Sequence, residues 1–144
     1  MRSIKVLVQK HSLFIEQAIR TRLSNEGTYA DGKKIKTYAA TGSLVYSPFT
    51  ISSKGAEGKR TDIVTLEDTG ELHSSFVNKA KGSEFVTNYN DRKEDGNVSD
   101  NIPELDEAIK LGNKGMTELK ELIKIDLRHD YKEEAKQAIY NGFK

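Results

Sequence analysis

Cysteine is absent from this 144-residue chain, which excludes disulfides, thiolate metal sites and a cysteine nucleophile. Tryptophan is absent too, so the core has to be built from aliphatic side chains with a few Phe and Tyr. Proline occurs only at Pro48 and Pro103, and each is placed to open a short helix. No apolar run approaches the length that spans a membrane, and Met1-Arg2-Ser3-Ile4-Lys5 does not lead into the apolar centre of a signal peptide. The expectation is a soluble protein not exported by the usual route. Leu, Ile, Val and Phe make up a little under a quarter of the residues, enough for one small core. One domain is the default at this length, with part of its stability expected from neighbouring subunits.

Charge is plentiful and unevenly placed. The net charge is +1, but residues 1–60 carry 11 Lys and Arg against 4 acids, and the remainder 12 against 18. Two ordinary solvated surfaces account for this equally well as a bipolar subunit that stacks on a neighbour or turns its basic side to nucleic acid.

Ile4, Leu7, Val8, Phe14, Ile15, Ala18, Ile19 and Leu23 recur at helical period, predicting one helix from about Ser3 to Asn25, with Gly27 as its stop. Glu16 and Arg20 are spaced as an i,i+4 pair on its polar side. Residues 28–62, rich in Tyr, Gly, Ser, Thr and Lys, read as an extended basic arm. Within it Ser47 caps a short helix that opens at Pro48 and runs to about Ser53. Ile63, Val64 and Leu66 predict a strand. Asp68, Thr69 and Gly70 follow as a turn, with Asp68 or Thr69 capping one or two helical turns. Gly70 is expected to hold dihedrals unfavourable to other residues. Ser75–Lys81 and Ser83–Tyr89 form a hairpin around Gly82. Residues 90–101, almost wholly polar, read as a mobile loop. Pro103 opens a short helix, and a long one runs from about Met116 to Tyr140 with Leu119, Leu122, Ile123, Leu127, Tyr131, Ala135, Ala138 and Ile139 on its stripe. The fold class is α+β: a small antiparallel sheet packed against an N-terminal helix and a long C-terminal helix.

Four constellations invite chemistry. Asp68-Thr69-Gly70 is the triplet of retroviral-type aspartic proteases, but Glu67 and Glu71 flank it, and two more like charges beside a carboxylate dyad are costly. Gly55-Ala56-Glu57-Gly58-Lys59-Arg60 fails phosphate-loop spacing, since Ser53 stands where the first glycine belongs. His11, His73 and His129 are scattered, without metal-ligand spacing; His73 beside Ser74 and Ser75 is read as a set of satisfied surface groups, not a base with nucleophiles. Lys33, Lys34 and Lys36 between Tyr29 and Tyr38 offer phosphate contact and stacking to a nucleic acid, without any accompanying motif.

Thr50-Ile51-Ser52-Ser53-Lys54, a basic Gly-containing loop, and then Leu66-Glu67-Asp68-Thr69-Gly70-Glu71-Leu72-His73-Ser74-Ser75 follow one another in order. This arrangement resembles the bacteriophage virion-morphogenesis and tail-completion proteins, the small head–tail joining family. The resemblance covers residues 46–80. It implies a single head–tail joining domain over residues 1–144 and a structural protein of the phage neck or tail end. It further implies a ring of identical copies beside portal, connector or tail proteins, within the virion after assembly in the host cytoplasm. Non-specific contact with packaged DNA follows; catalysis, a cofactor, a metal and a membrane do not. Thr50, Lys54, Leu66, Asp68, Thr69, Gly70, Leu72 and Ser75 carry the motif, with the role of holding the joint between sheet and helices. The alternatives are an aspartic protease-like enzyme using Asp68 and a small nucleic-acid-binding module using the basic arm.

Overall fold

The amino-terminal apolar stripe folds as two helices, where its period predicts one. In the computed structural model, which describes residues 1–67, 70–81, 84–93 and 96–142, α1 (Ile4–Lys10) and α2 (Ser12–Glu26) meet at His11. His11 sits at φ −96° and ψ 19°, and Ser12 Oγ donates to Gln9 O at 2.7 Å, so the helical ladder is interrupted there. The cause lies far away in sequence: His11 Nε2 is 2.6 Å from Asp126 Oδ2 on the last helix. α2 ends at Gly27 in the left-handed region, φ 60°, as its stop signal predicts. Gly27 is needed for a second reason, because a Cβ there would stand 2.7 Å from Ile63 Cβ.

The pair Glu16–Arg20 is not made. Glu16 is buried, and its Oε1 accepts the backbone N–H of Asn78 at 2.9 Å, fastening α2 to the hairpin. Arg20 Nε donates instead to His73 O at 2.7 Å.

Residues 28–62 are not an extended arm. Ile35, Val45 and Tyr46 are buried with α2 residues Ile15, Ile19 and Leu23. Ile35 N donates to Gly27 O, Thr37 N to Val45 O and Tyr38 N to Asn101 O, so the segment is laced down on both sides. Ile35 enters the core alone and Val45 with Tyr46 as an adjacent pair, without a periodic stripe, while Leu44 and Phe49 stay exposed. Helix α3 (Pro48–Ala56) begins at the predicted Ser47 cap and continues to Ala56, past the predicted end at Ser53.

The predicted strand at Ile63–Leu66 joins no ladder. Ile63 and Val64 are buried under Gly27, and Leu66 takes φ 59°. An isolated extended run becomes a strand only beside a hydrogen-bonding partner, and here the passage past Gly27 is used for packing. The single turn α4 (Glu71–Ser74) starts from Gly70 at φ 80°, the conformation expected of it. The N-cap is Gly70 itself, with no side-chain cap bond, where Asp68 or Thr69 is expected; those two residues lie outside the described residues. The hairpin forms as read: β1 (Val77–Lys81) pairs antiparallel with β2 (Glu84–Asn88), Val77 opposite Asn88 and Lys81 opposite Glu84. Its turn at Gly82 lies outside the described residues.

The polar loop carries more structure than its composition suggests. β3 (Arg92–Lys93) pairs with β4 (Gly96–Asn97), a 3-10 turn spans Val98–Asp100, and Val98 leans on the core. Asp100 Oδ2 accepts from Asn97 N at 2.8 Å, closing a local cap. Then α5 (Leu105–Ala108) buries Leu105 and Ala108, and α6 (Asn113–Gly142) runs for 30 residues, about 45 Å at 1.5 Å per residue. The chain is α+β: helices at both ends around a small two-stranded antiparallel sheet.

Candidate functional site

The motif residues fall on three elements. Thr50 and Lys54 are one turn apart on α3, which starts because Ser47 Oγ accepts from Thr50 N at 3.2 Å and donates to Thr50 Oγ1 at 2.9 Å. Lys54 Nζ lies 5.2 Å from the Tyr46 ring centroid, a cation–π contact on the inner side of α3. Thr50, Lys54 and Leu66 border one cleft of about 370 Å³ together with Lys93 and Asn101. Leu72 lies beneath in the core. Ser75 is on the far side of α4, where its Oγ donates to Leu72 O at 2.7 Å and accepts from Asn90 N at 2.9 Å. Each hydroxyl is held by its neighbours, and the arrangement supplies packing and turn geometry. Asp68 and Thr69 lie outside the described residues.

His73 is buried, where the sequence reads it as a surface group. Nε2 donates to Thr65 O at 2.8 Å, and the ring stacks on Phe76 with centroids 5.4 Å apart. Ser74 Oγ donates to Glu71 O at 3.0 Å. Both serine hydroxyls donate to backbone carbonyls rather than to an imidazole, so the triplet His73-Ser74-Ser75 is architectural. Among the described residues no cluster of His, Asp and Glu has the geometry to hold a metal ion, and no helix is long and apolar enough to cross a membrane.

A seam of charge joins α1 to α6. Arg2 grips Asp130 with two nitrogens, Nη2 to Oδ1 at 2.7 Å and Nε to Oδ2 at 3.1 Å. Lys10 Nζ is 2.6 Å from Asp126 Oδ1, and the N-terminal ammonium pairs with Glu134. The Arg2 guanidinium holds the Asp130 carboxyl down at about 2. Hydrogen bonds from Lys10 and then His11 hold Asp126 below the usual carboxylate range. Basic N-terminus and acidic C-terminus therefore meet, in part, inside one subunit. A second cation does structural work at the other end of α2: Arg22 Nε donates to Thr28 O at 3.0 Å, Nη1 to Lys110 O at 2.6 Å and Nη2 to Ala108 O. Burial lowers its guanidinium from the usual arginine range.

Beyond the Met1–Glu134 pair, α6 is largely solvent-exposed. Residues 131–142 are exposed apart from half-buried Ala135, and Tyr131 and Ile139 are 67% and 62% exposed. Tyr131, Ala135 and Ile139 recur every fourth residue and so share one face. The sequence stripe identifies this face as apolar, but not as uncovered. β2, α5 and the inner half of α6 also border a groove of about 700 Å³, whose apolar lining includes Val8, Ile15, Phe85, Ile109, Leu119 and Ile123. Asn78 borders this groove, and its Nδ2 is sealed from solvent with no hydrogen-bond partner among the described residues. The exposed apolar residues of the outer helix and the apolar groove are the two most apolar surfaces among the described residues. Compared with protein-family models, curated proteins and solved structures, the chain matches none.

Proposed function

We propose that this chain is a structural virion subunit of the phage neck or tail end, a tail-completion or head–tail connector protein that assembles as a ring without catalysis. The observation that carries the reading is the outer half of α6, a helical stretch whose apolar residues Tyr131 and Ile139 the subunit's own body leaves mostly exposed. A helix face of this kind is stable in water when another surface covers it, and repeated head-to-tail contacts between identical copies close into rings. The resemblance of residues 46–80 to head–tail joining proteins supports the same reading. Thr50, Gly70, Leu72 and Ser75 agree with it through their packing, capping and backbone contacts. Portal, connector or tail proteins are the neighbours of such a ring. The exposed Lys33 and Lys34 offer non-specific contact to packaged DNA.

Negative-stain imaging of the purified chain over a concentration series tests this proposal. Annular particles of uniform diameter are expected. Single subunits at every concentration contradict it. The same preparation, assayed for peptide cleavage beside Asp68→Ala, separates the structural reading from a protease: activity lost in the variant assigns Asp68 a catalytic role.

A further inference from the structure

The hairpin has one closed edge and one open one. Asn78 N donates to Glu16 Oε1 at 2.9 Å, so the backbone of Asn78 turns away from β2 and toward α2. Asn78 stands opposite Thr87, and in an antiparallel ladder pairs that exchange hydrogen bonds alternate with pairs that do not. Val77–Asn88 and Lys79–Val86 are therefore the bonded pairs. Thr87 and, two residues before it, Phe85 point their N–H and C=O groups away from β1. The sheet has only these two strands, and no other backbone hydrogen bond reaches Phe85 or Thr87 among the described residues. A row of donors and acceptors at strand spacing is the template for one kind of ligand, an extended polypeptide backbone.

The residues of this edge also line the groove. Phe85, Val86 and Thr87 border it together with Ile109 and with Met116, Leu119 and Ile123 of α6. Side chains of an added strand alternate between such a lining and solvent, so every second residue of the ligand is apolar. The charged lining sets the others. Glu84, Asp106 and Glu107 stand against Lys110 and Lys120, and Lys110 is already paired with Glu107 at 2.6 Å. The surplus is acidic and favours Lys or Arg. β2 already takes a strand of this kind on its other edge: β1, Val77-Asn78-Lys79-Ala80-Lys81, places Lys81 opposite Glu84. The β2 strand of a second copy, Glu84-Phe85-Val86-Thr87-Asn88, would bring another acid and no cation.

We propose that the free edge of β2 docks an extended segment of another protein, alternating apolar residues with Lys or Arg, which joins the sheet as a third strand. This surface is separate from the outer half of α6, and the proposal stands whether or not the chain forms a ring.

The probe is a synthetic peptide, Lys-Val-Lys-Ile-Lys-Val-Lys with both ends blocked, added to the isotope-labelled wild-type chain while amide exchange is followed by NMR. In the free chain the amides of Phe85 and Thr87 are expected to exchange rapidly and those of Val86 and Asn88 slowly. Saturating peptide is expected to slow Phe85 and Thr87 at least about tenfold. The same peptide methylated on every backbone nitrogen keeps its charges and side chains but donates no hydrogen bond, and is expected not to bind. Replacing its lysines with glutamates is expected to weaken binding at least about tenfold. Thr87→Pro removes one outward N–H without breaking a bond to β1, and is expected to weaken binding by a similar factor. Should that variant not fold, the peptide series on the wild type decides. Binding that survives backbone methylation, or exchange at Phe85 and Thr87 that the peptide leaves unchanged, overturns the proposal. Protection of Phe85 and Thr87 in the free chain at every concentration means that the subunit covers its own edge. Protection that appears with rising concentration alone means that a second copy takes it. Either result also overturns the proposal.

Discussion

The two halves of α6 carry the same apolar spacing and meet opposite fates. In the inner half Leu119 is buried, Ile123 packs against the core, and Asp126 and Asp130 are pinned by Lys10 of α1 and by Arg2 just ahead of it. In the outer half Tyr131 and Ile139 continue the stripe and stay mostly exposed. Periodicity thus tells which face of a helix is apolar, while the cover comes from the rest of the chain or from another molecule. A helix whose stripe outlasts its subunit has the form of an assembly element.

The sharpest way to break this comparison is to truncate one residue from each half. Leu119→Ala is expected to destabilise the subunit by about 2–5 kcal/mol, the usual cost of emptying a buried leucine site. Ile139→Ala is expected to leave monomer stability within about 0.5 kcal/mol. Denaturant unfolding below the assembly concentration measures both. Equal losses at the two sites show that the outer half is already covered within one chain.

The same contrast between closed and open surroundings separates two glycines with positive φ. Gly27→Ala meets both backbone strain and Ile63 Cβ at 2.7 Å, and a loss of about 2–4 kcal/mol is expected. Gly70→Ala has open space around its new methyl group and bears the φ strain alone, about 1–2 kcal/mol. Thermal melts of the pair rank them, and the reverse order contradicts the packing of Ile63 under α2.

The smallest and most local effect concerns acid. Asp126 and Asp130 have folded-state pKa values depressed by Lys10 and His11 and by Arg2, so their contribution is full above the unfolded carboxylate range. It is lost as pH falls from about 4 toward the Asp130 value of about 2. Amide exchange in α1 is expected to rise in that window while the hairpin stays protected; protection of α1 unchanged down to pH 2 contradicts the charge seam.

Much of the fold was legible wherever the signal was local. Ser47 and Pro48 start α3, Gly27 stops α2, Gly70 takes the left-handed cap, and the hairpin forms at the predicted residues, because caps, turns and alternation act within a few positions. What the sequence hid depended on distant partners. His11 breaks the first helix opposite Asp126, and Glu16 turns inward to the Asn78 backbone. Ile35 enters the core alone and Val45 beside Tyr46, without a period to betray them. Ile63 and Val64 have strand composition but pack under Gly27 instead of pairing. The motif positions were visible as a pattern, but the clustering of Thr50, Lys54 and Leu66 around one cleft required the fold, as did the orphaned Asn78 amide.

The central claim is that the outer half of α6 joins subunits. Its most direct test is the solution mass of the wild-type chain beside Tyr131→Lys/Ile139→Lys at matched concentrations. Both substitutions fall on exposed positions and leave the inner half of the helix intact. The account predicts a multi-subunit mass for the wild type and about the single-chain 16.1 kDa for the variant, with the same melting temperature once both are diluted to monomer. A wild type that remains at 16.1 kDa, or a variant that assembles as the wild type does, contradicts it.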